Sequence, residues 1–283
     1  MATFFNRATL SYNGGTVNSN ITTGEIIEVL SATKTAVVDE YSGSSDVTYV
    51  INIVNSGATP FTGITVTDDL GAYESGTTTL QPLDFIDGSI NYFVNGVPQA
   101  DPVVVAGPPL VVTGITVPAD GVATIIYAAR TNEFAPPGED GTITNTATVN
   151  GSGITEITVT ETVNAATGPN LGITKSVSPT TVTENGQITY TFVIQNSGNT
   201  AAVATDNVVI TDQFDPILSD ISVTYNGTVW TEPANYTYNE ATGLFRTAEG
   251  GITVPAATFT RDPVTGAFVT EPGVATVTVT GTV

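Results

Sequence analysis

The chain contains two copies of one pattern, aligned without a gap over their first part. In each copy a lysine lies fifteen residues before a tyrosine and twenty-one residues before an Asn-Ser-Gly triplet. The lysine, the tyrosine and the first residue of the Asn-Ser-Gly triplet are Lys34, Tyr49 and Asn55 in the first copy and Lys175, Tyr190 and Asn196 in the second. Because a repeat of this length is a domain rather than a single supersecondary unit, the 283 residues are predicted to form two similar domains.

Later segments of the two copies match as well. The matching pairs are residues 64–68 with 208–212, 114–118 with 251–255, and 121–124 with 273–276. The second copy carries an insertion between its last two segments, from Ala257 to Pro272, with the character of a hairpin.

Short runs of alternating apolar and polar residues fill both copies, and turn clusters such as Asn55-Ser56-Gly57 separate them. Thr and Val, which suit pleated strands, are abundant, whereas no window shows a sustained helical period. With 40% hydrophobic residues the chain can bury a core. We predict an all-β protein of two tandem immunoglobulin-like β-sandwich domains.

These motifs resemble a known family. The sequence contains T-Y-x-x-x-I-x-N-S-G from Thr48, V-x-I-T-D from Val208, V-P-A from Val117 and again from Val254, and I-T-N-T-A-T-V from Ile143. Together with T-K-x-V from Thr174, they resemble the bacterial surface repeat called domain of unknown function eleven. A chain with two such repeats is similar to the duplicated-repeat proteins of clostridial spore appendages, so the resemblance implies a structural role at a cell or spore surface.

The closing strand of the repeat appears in an unexpected place. The first copy ends with Asn145-Thr-Ala-Thr-Val149, but the second copy reaches Val283 before this pattern. The same N-x-A-T-apolar pattern begins at Asn6, near the start of the chain. We therefore expect an N-terminal donor strand and linker (1–22), a complete repeat (23–166) and a repeat without its last strand (167–283).

Three kinds of polar residue lie on rows that are otherwise apolar. In a strand, side chains two positions apart share a face, so each row can be read from the sequence. The polar residues on these rows are Lys34 and Lys175, Asp68 and Asp212, and Asn145 and Asn6. The two lysines are the only ones in the chain, and they occupy equivalent positions.

Buried polar groups of these types must either pair or react. Burial lowers the pKa of an amine and raises that of a carboxylic acid, which leaves a neutral nucleophile beside a proton donor. A neutral lysine can then attack an asparagine side chain and release ammonia, forming an isopeptide bond. We predict a Lys34–Asn145 bond within the chain and a Lys175–Asn6 bond between chains.

Asp68 and Asp212 are the predicted proton shuttles, and a different carboxylate remains an alternative. Asp46 is a weaker candidate because its repeat partner is Gln187. The structural alternative for all six residues is that the lysines are solvated at an edge and the Asp and Asn side chains satisfy turns.

Composition excludes most other chemistry. The net charge is −21, and the chain has no Cys and no His, so no disulfide, zinc site or Ser-His-Asp triad can form. The acidic surface disfavours nucleic acid and membrane partners. We expect no cofactor and no small-molecule substrate, and the only predicted reaction is the single-turnover self-modification. Bound calcium has no supporting D-x-D-x-D-G motif.

The expected function is that of an extracellular fibre subunit that polymerises head to tail with copies of itself. No signal peptide or membrane-spanning run is recognisable, so synthesis in the cytoplasm and an extracellular or spore-surface destination are expected. The alternative function is a surface adhesin or stalk that binds a glycan or a protein. Trp230, Tyr236 and Tyr238 would be its candidate contacts, unless they pack in the core.

Overall fold

The computed structural model describes residues 2–283. In that range the chain is all-β, and its only helical element is a 3₁₀ turn at Ala204–Asp206. None of its helical structure is long and apolar enough to cross a membrane. The chain divides into two compact units, the first made of Met1–Ala135 and Thr142–Asn164 and the second of Pro136–Gly141 and Ala165–Val283.

The first unit begins with four short strands that form two antiparallel pairs, β1 with β4 and β2 with β3. Their bounds are β1 (Ala2–Asn6), β2 (Thr9–Tyr12), β3 (Gly15–Asn18) and β4 (Thr22–Ile26). The sequence had suggested one donor strand followed by a linker. Instead residues 2–26 form a hairpin, because the linker pairs with the strand.

The rest of the first unit contains two six-stranded sheets and a small hairpin of β9 and β10. Sheet 1 has the order β13-β12-β16-β7-β5, with β11 beside β16, and sheet 2 has the order β14-β15-β8-β17-β18-β6. The strands are β5 (Leu30–Ala36), β6 (Glu40–Tyr41), β7 (Asp46–Asn55), β8 (Phe61–Asp68), β9 (Tyr73–Ser75), β10 (Thr78–Leu80), β11 (Leu83–Phe85), β12 (Asn91–Val94), β13 (Val97–Pro98), β14 (Val103–Val105), β15 (Leu110–Val117), β16 (Gly121–Thr131), β17 (Thr142–Asn150) and β18 (Ile157–Ala165).

The second unit has one five-stranded sheet, of order β19-β20-β28-β22-β23, and a three-stranded sheet of order β21-β25-β24. The strands are β19 (Leu171–Ser178), β20 (Gln187–Asn196), β21 (Thr211–Gln213), β22 (Ser219–Tyr225), β23 (Thr228–Trp230), β24 (Tyr236–Asn239), β25 (Leu244–Thr247), β26 (Thr258–Arg261), β27 (Phe268–Glu271) and β28 (Gly273–Thr282). Strands β26 and β27 pair with each other and form the hairpin expected from the insertion.

Alternating side chains build both cores. Along β7, the side chains of Val47, Tyr49, Ile51 and Ile53 are buried while those between them are less so. The corresponding row of β20 is also buried, except that Tyr190 is only partly so. Burial of each large apolar side chain contributes about 1.5–3 kcal/mol. The two-residue period therefore determines which face of each strand turns inward.

The Asn-Ser-Gly triplets serve the fold. The buried Asn55 side chain donates to the carbonyls of Thr59 and Pro118 and accepts from the N–H of Gly57. Asn196 makes the equivalent three bonds in the second unit. Each asparagine thereby ties a turn to a loop between strands, which explains why the repeat contains it.

Candidate functional site

Lys34 and Asp68 meet in the core of the first unit. Lys34 lies on β5 of sheet 1 and Asp68 on β8 of sheet 2, and Lys34 Nζ is 2.7 Å from Asp68 Oδ2. Their side chains are 0% and 2% exposed. The other carboxylate oxygen of Asp68 accepts a hydrogen bond from the backbone N–H of Leu70 at 3.0 Å. The pair therefore bridges the two sheets with its polar atoms satisfied.

Tyr127 links this pair to Asn145. The Tyr127 hydroxyl, on β16, donates to Asp68 Oδ2 at 2.6 Å and accepts from Asn145 Nδ2 at 3.1 Å. The side-chain oxygen of Asn145, on β17, accepts from the backbone N–H of Gly71 at 3.2 Å. A continuous chain of hydrogen bonds thus runs from the lysine amine to the asparagine amide, and all four side chains are buried.

Burial dominates the electrostatics of this cluster. It lowers the pKa of Lys34, against the opposing attraction of Asp68. Burial, assisted by the charge of Asp68, raises the pKa of Tyr127 well above its usual value. The Lys34 amine also lies 4.9 Å from the centre of the Tyr49 ring, which stacks on Tyr127. Burial therefore disfavours the charged forms of both the amine and the phenol, and at the amine the contact with Asp68 opposes this effect.

The equivalent pair in the second unit is open to solvent. Lys175 Nζ forms an ion pair with Asp212 Oδ2, but the two side chains are 39% and 18% exposed. The Lys175 amine lies over the rings of Tyr190, Phe214 and Phe192, at 4.4, 5.3 and 5.5 Å from their centres. The second unit thus has the lysine–acid pair but lacks the strand that buries the equivalent pair in the first unit.

The difference follows from one strand. In sheet 2, β8 lies between β15 and β17, and Asp68 is opposite Ala147 of β17. In the second unit β21, which carries Asp212, has β25 on one side and no neighbour on the other within the described chain. The apolar residues of β19 that share a face with Lys175 are exposed, including Leu171, Ile173 and Val177. The second unit therefore presents a free edge at β21 and an exposed row of apolar side chains on β19.

Asn6 lies in β1, opposite Thr22 of β4. Phe4 and Leu10, which lie on the same alternating row of the sequence as Asn6, are both exposed. Of the six residues selected from the sequence, the structure brings together Lys34, Asp68 and Asn145 in one cluster and Lys175 with Asp212 in another. Asn6 remains in the N-terminal hairpin.

The sequence reasoning missed Tyr127. It lies opposite Tyr49 in sheet 1, whereas the corresponding partner of Tyr190 in the second unit is Val279. Comparison of the repeats could not select a residue that only one repeat has. Its position on the buried row of β16 was the available signal, because a buried phenol needs a partner for its hydroxyl.

Other candidates have structural roles. Asp46 pairs with Arg130 at the surface. Trp230 and Tyr236 are buried in the core of the second unit. Among the described residues no group of acidic side chains is arranged to hold a metal ion.

Comparison with known proteins gives only distant structural likenesses. No family model and no curated protein matches the chain. Among solved structures, the collagen adhesin CNA of S. aureus aligns over 56% of this chain and 55% of its own, with 16% identity and a TM-score of 0.32. The pilus backbone protein RrgB of Streptococcus pneumoniae aligns over 86% and 55%, with 14% identity and a TM-score of 0.35.

BcpA, the major pilin subunit of Bacillus cereus, aligns over 96% of this chain and 73% of its own, with 13% identity and a TM-score of 0.35. The chain thus spans about half the length of the adhesin and pilus backbone structures that it matches. Because all these TM-scores are low, the assignment of tandem β-sandwich domains rests on the strands and sheets of the chain itself.

The two lysines provide a matched test of burial. In an Asn145→Ala background, where Lys34 cannot be cross-linked, Lys34→Met leaves Asp68 buried without its cation and should destabilise the first unit by about 3–5 kcal/mol. Lys175→Met removes an exposed pair and should cost at most about 1 kcal/mol. Hydrogen exchange of the β7 and β20 amides measures the two effects separately. Equal losses of protection in the two variants would contradict this account of the cluster.

Proposed function

We propose that the protein is a structural subunit of an extracellular fibre, assembled head to tail by strand donation and locked by Lys-Asn isopeptide bonds. The spore surface is the setting that the family resemblance implies. The observation that carries the proposal is the pair of lysine–acid sites, one closed by β17 and the other open along β21. A free strand edge beside a lysine–acid pair can accept a strand from another copy.

In the closed site, proton transfer within the Lys34–Asp68 pair gives a neutral amine and a carboxylic acid. A bond then forms between Lys34 Nζ and Asn145 Cγ, and the bond from Cγ to Nδ2 breaks. Tyr127 gives its hydroxyl proton to the departing nitrogen, which leaves as ammonia, and takes a proton from Asp68. Asp68 then accepts a proton from the attacking nitrogen, so Tyr127 ends as the neutral phenol and Asp68 as the neutral carboxylic acid.

This bond would join β5 of sheet 1 to β17 of sheet 2. It would close a loop of about 110 residues, for which the chain-entropy model of cross-links gives about 4–5 kcal/mol of stabilisation. Tension that enters the unit through one of these strands would pass to the other through covalent bonds. Such a link suits a subunit that must resist unfolding in a fibre.

In the open site, the missing asparagine is Asn6 of another copy. The N-terminal segment repeats the Asn-x-Ala-Thr-apolar pattern of β17 and exposes its apolar side chains. Insertion of this segment beside β21 would place Asn6 near Lys175 and Asp212. A contact between different surfaces of successive copies does not close on itself and therefore produces a filament.

One prediction concerns the bond within the chain. The intact mass of the monomer should be lower than the sequence mass by one ammonia molecule, and Lys34→Ala should abolish this loss. Asp68→Ala should leave Lys34 and Asn145 unlinked, because the proton shuttle is gone. A wild-type monomer with the full sequence mass would show that the Lys34–Asn145 bond does not form. Normal bond formation in Asp68→Ala would show that a different residue is the proton shuttle.

A second prediction tests Tyr127. Tyr127→Phe should slow formation of the Lys34–Asn145 bond by about 100-fold or more, the contribution expected of a general acid. Tyr49→Phe is the matched control, since the Tyr49 hydroxyl is buried beside Asn145 without a hydrogen bond of normal geometry to any described residue. Intact mass measured at intervals after cell-free synthesis gives both rates. Equal rates of bond formation in Tyr127→Phe and Tyr49→Phe would show that Tyr127 takes no part in the reaction.

A third prediction concerns the fibre. Deletion of residues 1–12 should give soluble monomers, and Asn6→Ala should give fibres that dissociate in hot detergent. Asn20→Ala, a change in the same segment, should leave the fibres resistant. Boiling-resistant fibres from the deletion variant would rule out strand donation, and a monomer that binds a glycan or host protein would favour the adhesin.

A further inference from the structure

We propose that the donated element is the whole hairpin Ala2–Ile26, inserted beside β21 of a second copy in the register in which β17 lies beside β8. This inference rests on the proposed function and specifies the partner surface. In this arrangement two strands are donated instead of one, and specific residues of the hairpin pair with specific residues of β21.

The N-terminal hairpin resembles the hairpin that closes the first unit, except that its ladder is interrupted at residues 7–8 and its register shifts there by one residue. In that unit β17 pairs with β18, and Asn145 lies opposite Glu161. At the N-terminus Asn6 lies opposite Thr22, with Thr9 opposite Asn18 beyond it. In both hairpins, therefore, the first strand carries the Asn-x-Ala-Thr pattern and the second strand runs back alongside it.

The register on the receiving strand follows from the first unit. There Ala147 is opposite Asp68, and Thr148 is opposite Thr67. The repeat relates Asp68 to Asp212, and the shared pattern relates Ala147 to Ala8. The corresponding contacts between copies are Ala8 with Asp212 and Thr9 with Thr211.

The second arm of the hairpin also has a place to dock. In sheet 2, β18 has β17 on one side and β6 on the other, and Tyr41 of β6 is only 3% exposed. By the repeat spacing, β6 corresponds to residues 181–182, which form no strand in the described chain, and Val182 is 37% exposed. A donated strand alone would leave these residues uncovered, whereas the hairpin supplies the counterpart of β18.

Charge does not oppose the contact. The donated hairpin carries Arg7 and Glu25, and the receiving edge carries Asp212 already paired with Lys175. Insertion would bury exposed apolar side chains of the hairpin and of the β19 row. The edge of β21 therefore matches a second copy of this chain in pattern and register.

A disulfide that locks the hairpin tests whether it moves as a unit. Thr9 and Asn18 contact each other through their side chains at 2.7 Å, so Thr9→Cys with Asn18→Cys should form a disulfide within the hairpin. The natural chain has no cysteine, so no other pairing competes. The full-length locked protein should polymerise at the rate of the same protein after reduction.

If the oxidised protein fails to polymerise and reduction restores fibres, a single strand is donated and the hairpin inference is wrong, while strand donation stands. If neither form polymerises although the wild-type protein does, Thr3→Cys with Glu25→Cys, a lock on the other arm, decides the question. Failure of the wild-type protein to polymerise would overturn the proposed function itself.

Register is tested in the Asn6→Ala background, whose fibres should dissociate in hot detergent. Thr9→Cys with Thr211→Cys should restore resistance through disulfides between chains, and reduction should remove it. Thr9→Cys with Val209→Cys, displaced by two residues along the same face, should not restore it. Cross-linking of the displaced pair in place of the first pair would overturn the proposed register.

Discussion

The contact between one lysine amine and one carboxyl group, enclosed between two sheets, is the interaction on which the first unit depends. Removing both groups from water is costly, and the cost is offset only where the remaining polar atoms also find partners. Asp68 satisfies this condition by accepting hydrogen bonds from Lys34, Tyr127 and the Leu70 N–H. Burial of the pair lowers the pKa of Lys34, whereas the contact with Asp68 opposes that shift, so the two effects act against each other at the same amine.

In the second unit the same lysine–acid contact forms without a strand that buries it. Lys175 and Asp212 still pair, but a lysine side chain that is fully buried in one repeat is 39% exposed in the other. The sequence motif therefore supplies the pair, and the closing hairpin supplies its burial. If burial is what makes the amine reactive, the open site stays unreactive until a strand arrives, which ties bond formation to assembly.

Much of the fold could be predicted from the repeat and the two-residue period. The strands, the division into two units and the β26–β27 hairpin follow from patterns that occur twice or from turn clusters between apolar rows. The rows also selected Lys34, Asp68 and Asn145, which the structure brings into one cluster.

Two features could not be found in this way, for physical reasons. Tyr127 has no counterpart in the second repeat, where Val279 takes its place, so comparison of the copies hides it. The N-terminal hairpin depends on pairing between distant residues, and its one local signal is the turn at Asn13-Gly14, where Gly14 has a φ of 86° that favours glycine. The most direct measurement of the whole account is tandem mass spectrometry of a digest of boiled fibres. The account predicts a branched peptide in which Lys175 is joined to Asn6 with loss of ammonia; recovery of both residues only in unmodified linear peptides would contradict it.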